Sequence, residues 1–307
     1  MKALAPHEIN GVWATPLLRV GPNGQPILDG LADQIDHFAD AGVDGVYTHG
    51  TAAEFHGQSD AFFRAFCDVV AQRCTALHLP FQIGASHPFA HETLKRIKFA
   101  RSWHPAAIQV VLPDWAPVDL RVARRFIEGC VAEATGVGIV LYNPPHAKRA
   151  FQAKDLVALL KDVPGIVGLK CAGGDADWFT QMQPLLADIS VFIPGHFMAS
   201  GMAKGARGSY SNVCCLNPHA TVVWRDQVAN DPRGAMELEH RINAFMTQYI
   251  QPFITAGYPG YACDKFMAYV GGWFPDPPDL VWPYLGIPKD EAPRVRQALK
   301  DIIPEFS

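Results

Sequence analysis

Lys170 closes the run Gly165-Ile166-Val167-Gly168-Leu169-Lys170 and is followed at once by Cys171-Ala172-Gly173-Gly174-Asp175. The pattern reads as a buried β-strand carrying one amine at its C-terminal end. Burying an ammonium costs several kcal/mol unless it is paired or neutralised. A lowered pKa removes most of that cost, and the neutral amine that results is a nucleophile toward carbonyls. Two other segments carry matching chemistry. Tyr142-Asn143-Pro144-Pro145 ends an earlier apolar run with a phenol, a group that can give and take a proton within hydrogen-bond reach. Gly50-Thr51-Ala52-Ala53-Glu54 reads as a turn whose backbone N–H groups and Thr51 hydroxyl can hold a carboxylate. Amine, phenol and carboxylate cradle together describe a site that makes an imine of a 2-oxo acid.

These three segments need a scaffold that brings strand ends together. Apolar runs recur at residues 11–18, 45–49, 81–85, 108–112, 138–142, 166–170, 191–194 and 208–213, and segments of helical periodicity separate the first six of them. Strands alternating with helices imply a parallel sheet, and continuously apolar strands imply burial on both faces. Eight such strands suit an α/β fold of the closed (β/α)8 TIM-barrel type, whose C-terminal strand ends converge on one mouth. An open doubly wound sheet is the competitor; no G-x-G-x-x-G follows the first strand to support it. Residues 1–216 are expected to form the barrel with the active site, and 217–307 a C-terminal helical region packed on it.

Composition narrows the partners. With a net charge of −4 and no block of like charge, the chain lacks the clustered basic face that nucleic acid requires. The N-terminus lacks a signal peptide's apolar core, and no stretch of about 20 apolar residues predicts a membrane span. Seven cysteines without a C-x-x-C pair fit free thiols in a reducing cytoplasm. Cys214 and Cys215 lie in a strand-like run and read as small buried hydrophobes.

Other residues near the expected mouth are candidate substrate contacts. His49, His56, His87, His146 and His196 lie near strand ends, but their dispersal and the absence of H-x-H or H-E-x-x-H argue against a metal site. His146 and His196 are expected to touch substrate, with Tyr210 from the eighth strand. Trp115 is either a lid over the substrate or a packing residue. Lys148 and Arg149 face either the mouth or solvent. Glu54 reads as a hydrogen-bond anchor rather than a catalytic acid.

On these motifs the chain resembles the dihydrodipicolinate synthase / N-acetylneuraminate lyase family of class I aldolases. The family's G-[TS]-T-G-E stands as Gly50-Thr51-Ala52-Ala53-Glu54, its Y-N-x-P as Tyr142-Asn143-Pro144-Pro145, and its G-[IL]-K-x-[AS]-[ST]-G-[DN] as Gly168 to Asp175. Gly11-Val12-Trp13-Ala14-Thr15-Pro16 resembles its first strand. The resemblance implies Lys170 as the Schiff-base lysine, Tyr142 as proton shuttle, and Thr51 with the amides around Ala52 as the carboxylate site. It also implies a homo-oligomer, dimer or tetramer, and a reaction needing no metal or organic cofactor. Three departures stand out. Ala52 and Ala53 replace a hydroxyl residue and a glycine. Trp115 falls where the synthases carry their second relay tyrosine. Ala147 falls where they carry an arginine for the second substrate's carboxylate. The expected function is therefore a class I lyase that cleaves or forms C3–C4 of a 2-keto-3-deoxy-type acid, and not dihydrodipicolinate synthesis. A Schiff-base dehydratase or deaminase of a sugar acid, or a non-catalytic 2-oxo-acid binding protein, stand as alternatives.

Overall fold

A computed structural model describes residues 2–210 and 212–307. Eight parallel strands close into a barrel: β1 (Gly11–Ala14), β2 (Gly45–Tyr47), β3 (Phe81–Gly84), β4 (Ala107–Val111), β5 (Ile139–Asn143), β6 (Ile166–Cys171), β7 (Ser190–Pro194) and β8 (Gly208–Tyr210). Each strand pairs with its sequence neighbour, and β8 returns to β1. The fold is the (β/α)8 barrel with C-terminal helices that the strand–helix alternation predicts.

Side-chain alternation sorts the core into two layers. Val12, Val46, Ile139, Leu141 and Leu169 face the surrounding helices. Trp13, Tyr47, Ala107, Val140, Phe192 and Tyr210 fill the barrel interior with Ile9. Tyr142 lies two residues beyond Val140, so it shares that inward parity. Lys170 stands opposite Tyr142 and Phe192 in the sheet register and points the same way. The closing seam is crowded. A Cβ on Gly208 would lie 2.0 Å from the Gly11 carbonyl oxygen, so the β8–β1 approach requires glycine.

Several differences from the sequence reading have local causes. The chain leaves β8 at Tyr210, and the apolar residues after it form a helical turn, Val213–Leu216, opened by the Asn212 side chain accepting from the Val213 amide. Cys214 and Cys215 are therefore helical rather than extended. They are buried and unpaired, as are the other five cysteines. A short antiparallel ribbon, Arg19–Val20 with Pro26–Ile27, follows β1 and was not expected from the sequence. Beyond 216, helices span Pro218–Asn230, Pro232–Phe245, Gly260–Gly271 and Ala292–Ile302. Among the described residues no helix is long and apolar enough to cross a membrane.

Candidate active site

A cavity of about 360 Å³ opens at the C-terminal ends of the strands, and Lys170 lies in its wall. Thr51, Ala52, Tyr142, His146, His196 and Tyr210 line the same space. Each is set in place by its own element. β5 and β6 put Tyr142 beside Lys170 by register. Asn143 staples the following loop: its amide donates to the Phe151 carbonyl at 2.9 Å and its oxygen accepts the Phe151 amide at 3.0 Å. That brace shapes the 144–150 loop that carries His146. Asp175, the last residue of the lysine motif, caps the helix Ala176–Leu186 by accepting the Trp178 amide at 2.9 Å. The Asn212 oxygen lies 2.9 Å from His196 Nδ1.

The Lys170 amine sits inside a box of phenols. Nζ donates to the Tyr47 hydroxyl at 3.2 Å and lies 4.3, 4.5 and 5.1 Å from the ring centres of Tyr47, Tyr142 and Tyr210. Burial lowers the amine to about 8, and the charge of Asp264 works the other way. Part of the side chain is still open to the cavity, so a ligand can reach it. Thr51 Oγ1 lies 3.4 Å from the Tyr142 hydroxyl, a long contact. Burial pushes Tyr142 up to about 12; the Thr51 contact acts to lower it. Such a phenol holds its proton at neutral pH and serves as a donor. The Tyr210 hydroxyl bonds Gln82 at 3.2 Å, and burial raises it also.

Other sequence candidates lie elsewhere. Trp115 does not border the cavity: its side chain is 84% exposed, with the Lys148 ammonium 4.3 Å above the ring. Lys148 Nζ also bonds the Trp115 carbonyl, so the two residues satisfy each other at the surface. Arg149 lies over Phe151, 4.9 Å from its ring centre. Of the alternatives left open for Trp115, Lys148 and Arg149, the structure takes the one away from the cavity: Trp115 and Lys148 pack on each other, and Arg149 packs on Phe151. His49 points outward between Phe63 and Phe66. His56 is held between Tyr261 and Tyr284. His87 accepts the Phe89 amide in its own loop.

Three contributors were missed by the sequence reading. Tyr47 is inward on β2, legible from the alternation Gly45-Val46-Tyr47 around an outward valine. Asp264 and Tyr261 come from the tail helix Gly260–Gly271, which closes one side of the cavity. The signal for that helix was available: Asp264 and Lys265 are the two charged residues of an otherwise uncharged stretch from Gly257 to Trp273. Adjacent helical positions point about 100° apart. Asp264 faces the cavity, while Lys265 is buried against Glu54.

An inward lysine on the sixth strand of a parallel barrel thus stands beside a tyrosine on the fifth, at the mouth of the cavity. The chain belongs to the dihydrodipicolinate synthetase family, whose model matches residues 9–301. It is a divergent member of this family of class I lyases. A 4-hydroxy-tetrahydrodipicolinate synthase of Albidiferax ferrireducens is 31% identical over 245 residues, 74% of this chain and 76% of the relative. One from Clostridium acetobutylicum is 27% identical over 237 residues, 75% of this chain and 81% of the relative. Among solved structures, a catalytic-lysine mutant of the Ruminococcus gnavus sialic acid aldolase superimposes with a TM-score of 0.83 at 18% identity, covering 100% of both chains. A prophage protein of E. coli K12 from the dihydrodipicolinic acid synthase family, solved with pyruvate, gives 0.81 at 19% identity over 96% of this chain and 98% of its own. At these identities the structural likenesses speak for the fold.

Proposed function

We propose that the protein is a class I lyase in which Lys170 forms an imine with C2 of pyruvate or a longer 2-oxo acid, and that it cleaves or forms the C3–C4 bond of a 2-keto-3-deoxy-type acid. The observation that carries this reading is the Lys170 amine, lowered to about 8 by burial and reachable from the cavity. A useful fraction is neutral near pH 7.5, and a neutral amine attacks a ketone. Thr51 and the amides around Ala52 receive the carboxylate. Tyr142 donates its proton to the carbinolamine hydroxyl, which leaves as water. In the cleavage direction Tyr142, deprotonated by the carbinolamine step, takes the proton of the C4 hydroxyl as C4=O forms and the C3–C4 electron pair flows into the iminium. An aldehyde departs, Tyr142 returns the proton to C3 of the enamine, and water hydrolyses the imine to pyruvate.

The distal half of the cavity speaks to the second substrate. Among the described residues lining it, Lys170 is the one lysine or arginine, and Ala147, in the arginine position of the synthases, is not part of the lining. A carboxylate on the second substrate would find no cation there, so aspartate semialdehyde is disfavoured. His146, His196 and Tyr261 offer hydrogen bonds suited to the hydroxyls of a deoxy sugar acid. By family resemblance the enzyme works as a cytoplasmic dimer or tetramer.

Pyruvate with borohydride tests the reading directly. A stable mass increment is expected on the wild type and none on Lys170→Ala; labelling that persists in the variant defeats it. A product screen of 2-keto-3-deoxy acids, run beside pyruvate plus aspartate semialdehyde, tests the substrate class and separates lyase from dehydratase. Higher activity with the semialdehyde than with every keto-deoxy acid would overturn the choice.

A further inference from the structure

Two lysines lie inside this fold, and they are held in different ways. Lys265 has the Glu54 carboxylate as its counter-ion and the Asp279 carbonyl beside it. Among the described residues Lys170 has no such contact, and the Asp264 charge acts on it without a hydrogen bond. Its Nζ instead donates to the Tyr47 hydroxyl at 3.2 Å and lies 4.3, 4.5 and 5.1 Å from the ring centres of Tyr47, Tyr142 and Tyr210. A cation within about 6 Å of a ring face is attracted by the ring quadrupole, more strongly where water is excluded. A contacting carboxylate would hold the amine protonated and unreactive. Ring faces are weaker partners, so they leave the amine able to lose its proton and still attract a cation that forms there.

The box is built around its rings. Tyr47 is wholly buried and Tyr210 nearly so, whereas Lys170 is reachable from the cavity. Tyr47 meets Tyr210 edge-on, with ring centres 4.8 Å apart and planes at 76°. Phe192 and Trp13 back Tyr210 at 4.4 and 6.4 Å. A Cβ on Gly50 would lie 2.9 Å from Cε2 of Tyr47, so the glycine that opens the carboxylate turn makes room for this ring. The Tyr210 hydroxyl is engaged by Gln82. Tyr142 is the proton carrier of the mechanism, and the other two phenols form fixed surroundings for the nitrogen.

We propose that this box is a cage for the cation that the imine creates: Tyr47 accepts the N–H of the protonated imine and, with Tyr210, turns a ring to it; the proposal rests on the imine assignment above. Nζ attacks C2, and the former carbonyl oxygen leaves as water with the Tyr142 proton. Nitrogen is then doubly bonded to C2, keeps one hydrogen and carries positive charge, with no oxidant or reductant consumed. That charge is the electron sink for the C3–C4 bond. The negative charge left on Tyr142 is lost when it takes the next proton, whereas Tyr47 and Tyr210 stay in place throughout. The ammonium of the unliganded enzyme enjoys the same cage, so the gain in imine appears where the amine is neutral. The titratable groups facing the nitrogen are Tyr47, Tyr142 and Tyr210 on β2, β5 and β8, Cys215 on the Val213–Leu216 turn, Asp264 on the tail helix and His146 on the 144–150 loop.

The test uses pyruvate alone, so it does not depend on the second substrate. Carbon-13 NMR of pyruvate labelled at C2 measures the share bound as protonated imine. It is run about one pH unit above the Lys170 titration at about 8, so that the cation is compared with a neutral amine. In Tyr47→Leu the dissociation constant of the imine is expected to rise ~5- to 30-fold, the worth of one desolvated ring face. The pH midpoint of initial borohydride trapping should fall by up to about one unit, because the ammonium loses the same partner. A misaligned amine would weaken the imine without moving that midpoint down. A shape-preserving series decides the matter if the leucine variant does not fold. Phenylalanine carrying successively more ring fluorines, placed at 47 and separately at 210, should weaken the imine stepwise as the ring face loses its negative potential. A series insensitive to fluorination, an imine in folded Tyr47→Leu within about twofold of wild type, or a midpoint that stays or rises overturns the proposal. A wild type that shows neither labelled imine nor trapping defeats the imine assignment instead, which keeps the two failures apart.

Discussion

Lys265, on the tail helix Gly260–Gly271, is buried in an ion pair with Glu54 in the turn after β2. The other Glu54 oxygen accepts the Val281 amide at 2.8 Å, and Lys265 Nζ also donates to the Asp279 carbonyl at 2.8 Å. Glu54 adopts φ 50°, in the left-handed region, so the turn is held in a conformation that a side chain alone does not favour. One pair thus joins the carboxylate turn, the tail helix and the 279–281 segment.

Removing one member of a buried, hydrogen-bonded pair leaves an uncompensated charge, which costs about 3–5 kcal/mol. Lys265→Met should therefore lower stability by about that amount in urea unfolding, and should reduce pyruvate trapping because the Thr51 turn loses its anchor to the tail helix. Glu54→Gln combined with Lys265→Met should recover part of the stability. A single variant as stable as wild type would show that water or another group takes up the charge of Glu54.

Imine trapping has a defined pH dependence. The amine of Lys170 must be neutral to attack, and it titrates at about 8 rather than 10.5, chiefly through burial. The initial trapping rate should rise as pH increases through about 8 and fall toward pH 6. The Asp264 charge stabilises the ammonium, so Asp264→Asn should move the midpoint to lower pH. A midpoint above 10 would place the amine in a solvent-like setting.

Tyr142→Phe should fold normally, since its ring stays on the inward face of β5, and should lower turnover by ~10²–10⁴-fold. The rate of imine formation with pyruvate should fall along with it, because the hydroxyl is assigned to the carbinolamine step. Stopped-flow or quench measurements of that step are the check, and a near-normal rate assigns the proton transfer to water.

His49 gives the molecule an acid sensitivity unrelated to catalysis. Burial between Phe63 and Phe66, with the Arg96 charge nearby, lowers its imidazole from 6.5 to about 3. The unfolded chain takes up the proton first, so stability is full above about 6.5 and is lost as pH falls from there toward 3. The slope from one such group approaches about 1.4 kcal/mol per pH unit. His49→Gln should flatten the pH dependence of the urea midpoint in this window; an unchanged slope assigns it to other groups.

The sequence alone determined the barrel, the order of its strands and the pairing of Tyr142 with Lys170. These follow from period and adjacency: apolar runs spaced by helical segments pair as a parallel sheet, and residues ending successive strands become neighbours. Tertiary structure alone decided what surrounds the amine. Tyr47 reaches Lys170 across the barrel interior, 123 residues away in sequence, because the barrel is narrow enough for inward side chains of separated strands to touch. Asp264 comes to the mouth because Lys265 and Glu54, 211 residues apart, form a buried pair that pins the tail helix over the strand ends. Trp115 leaves the mouth because Lys148 covers its ring. Each of these depends on a partner that no local periodicity names, since the free energy of a buried charge or an exposed ring is set by what the fold brings beside it.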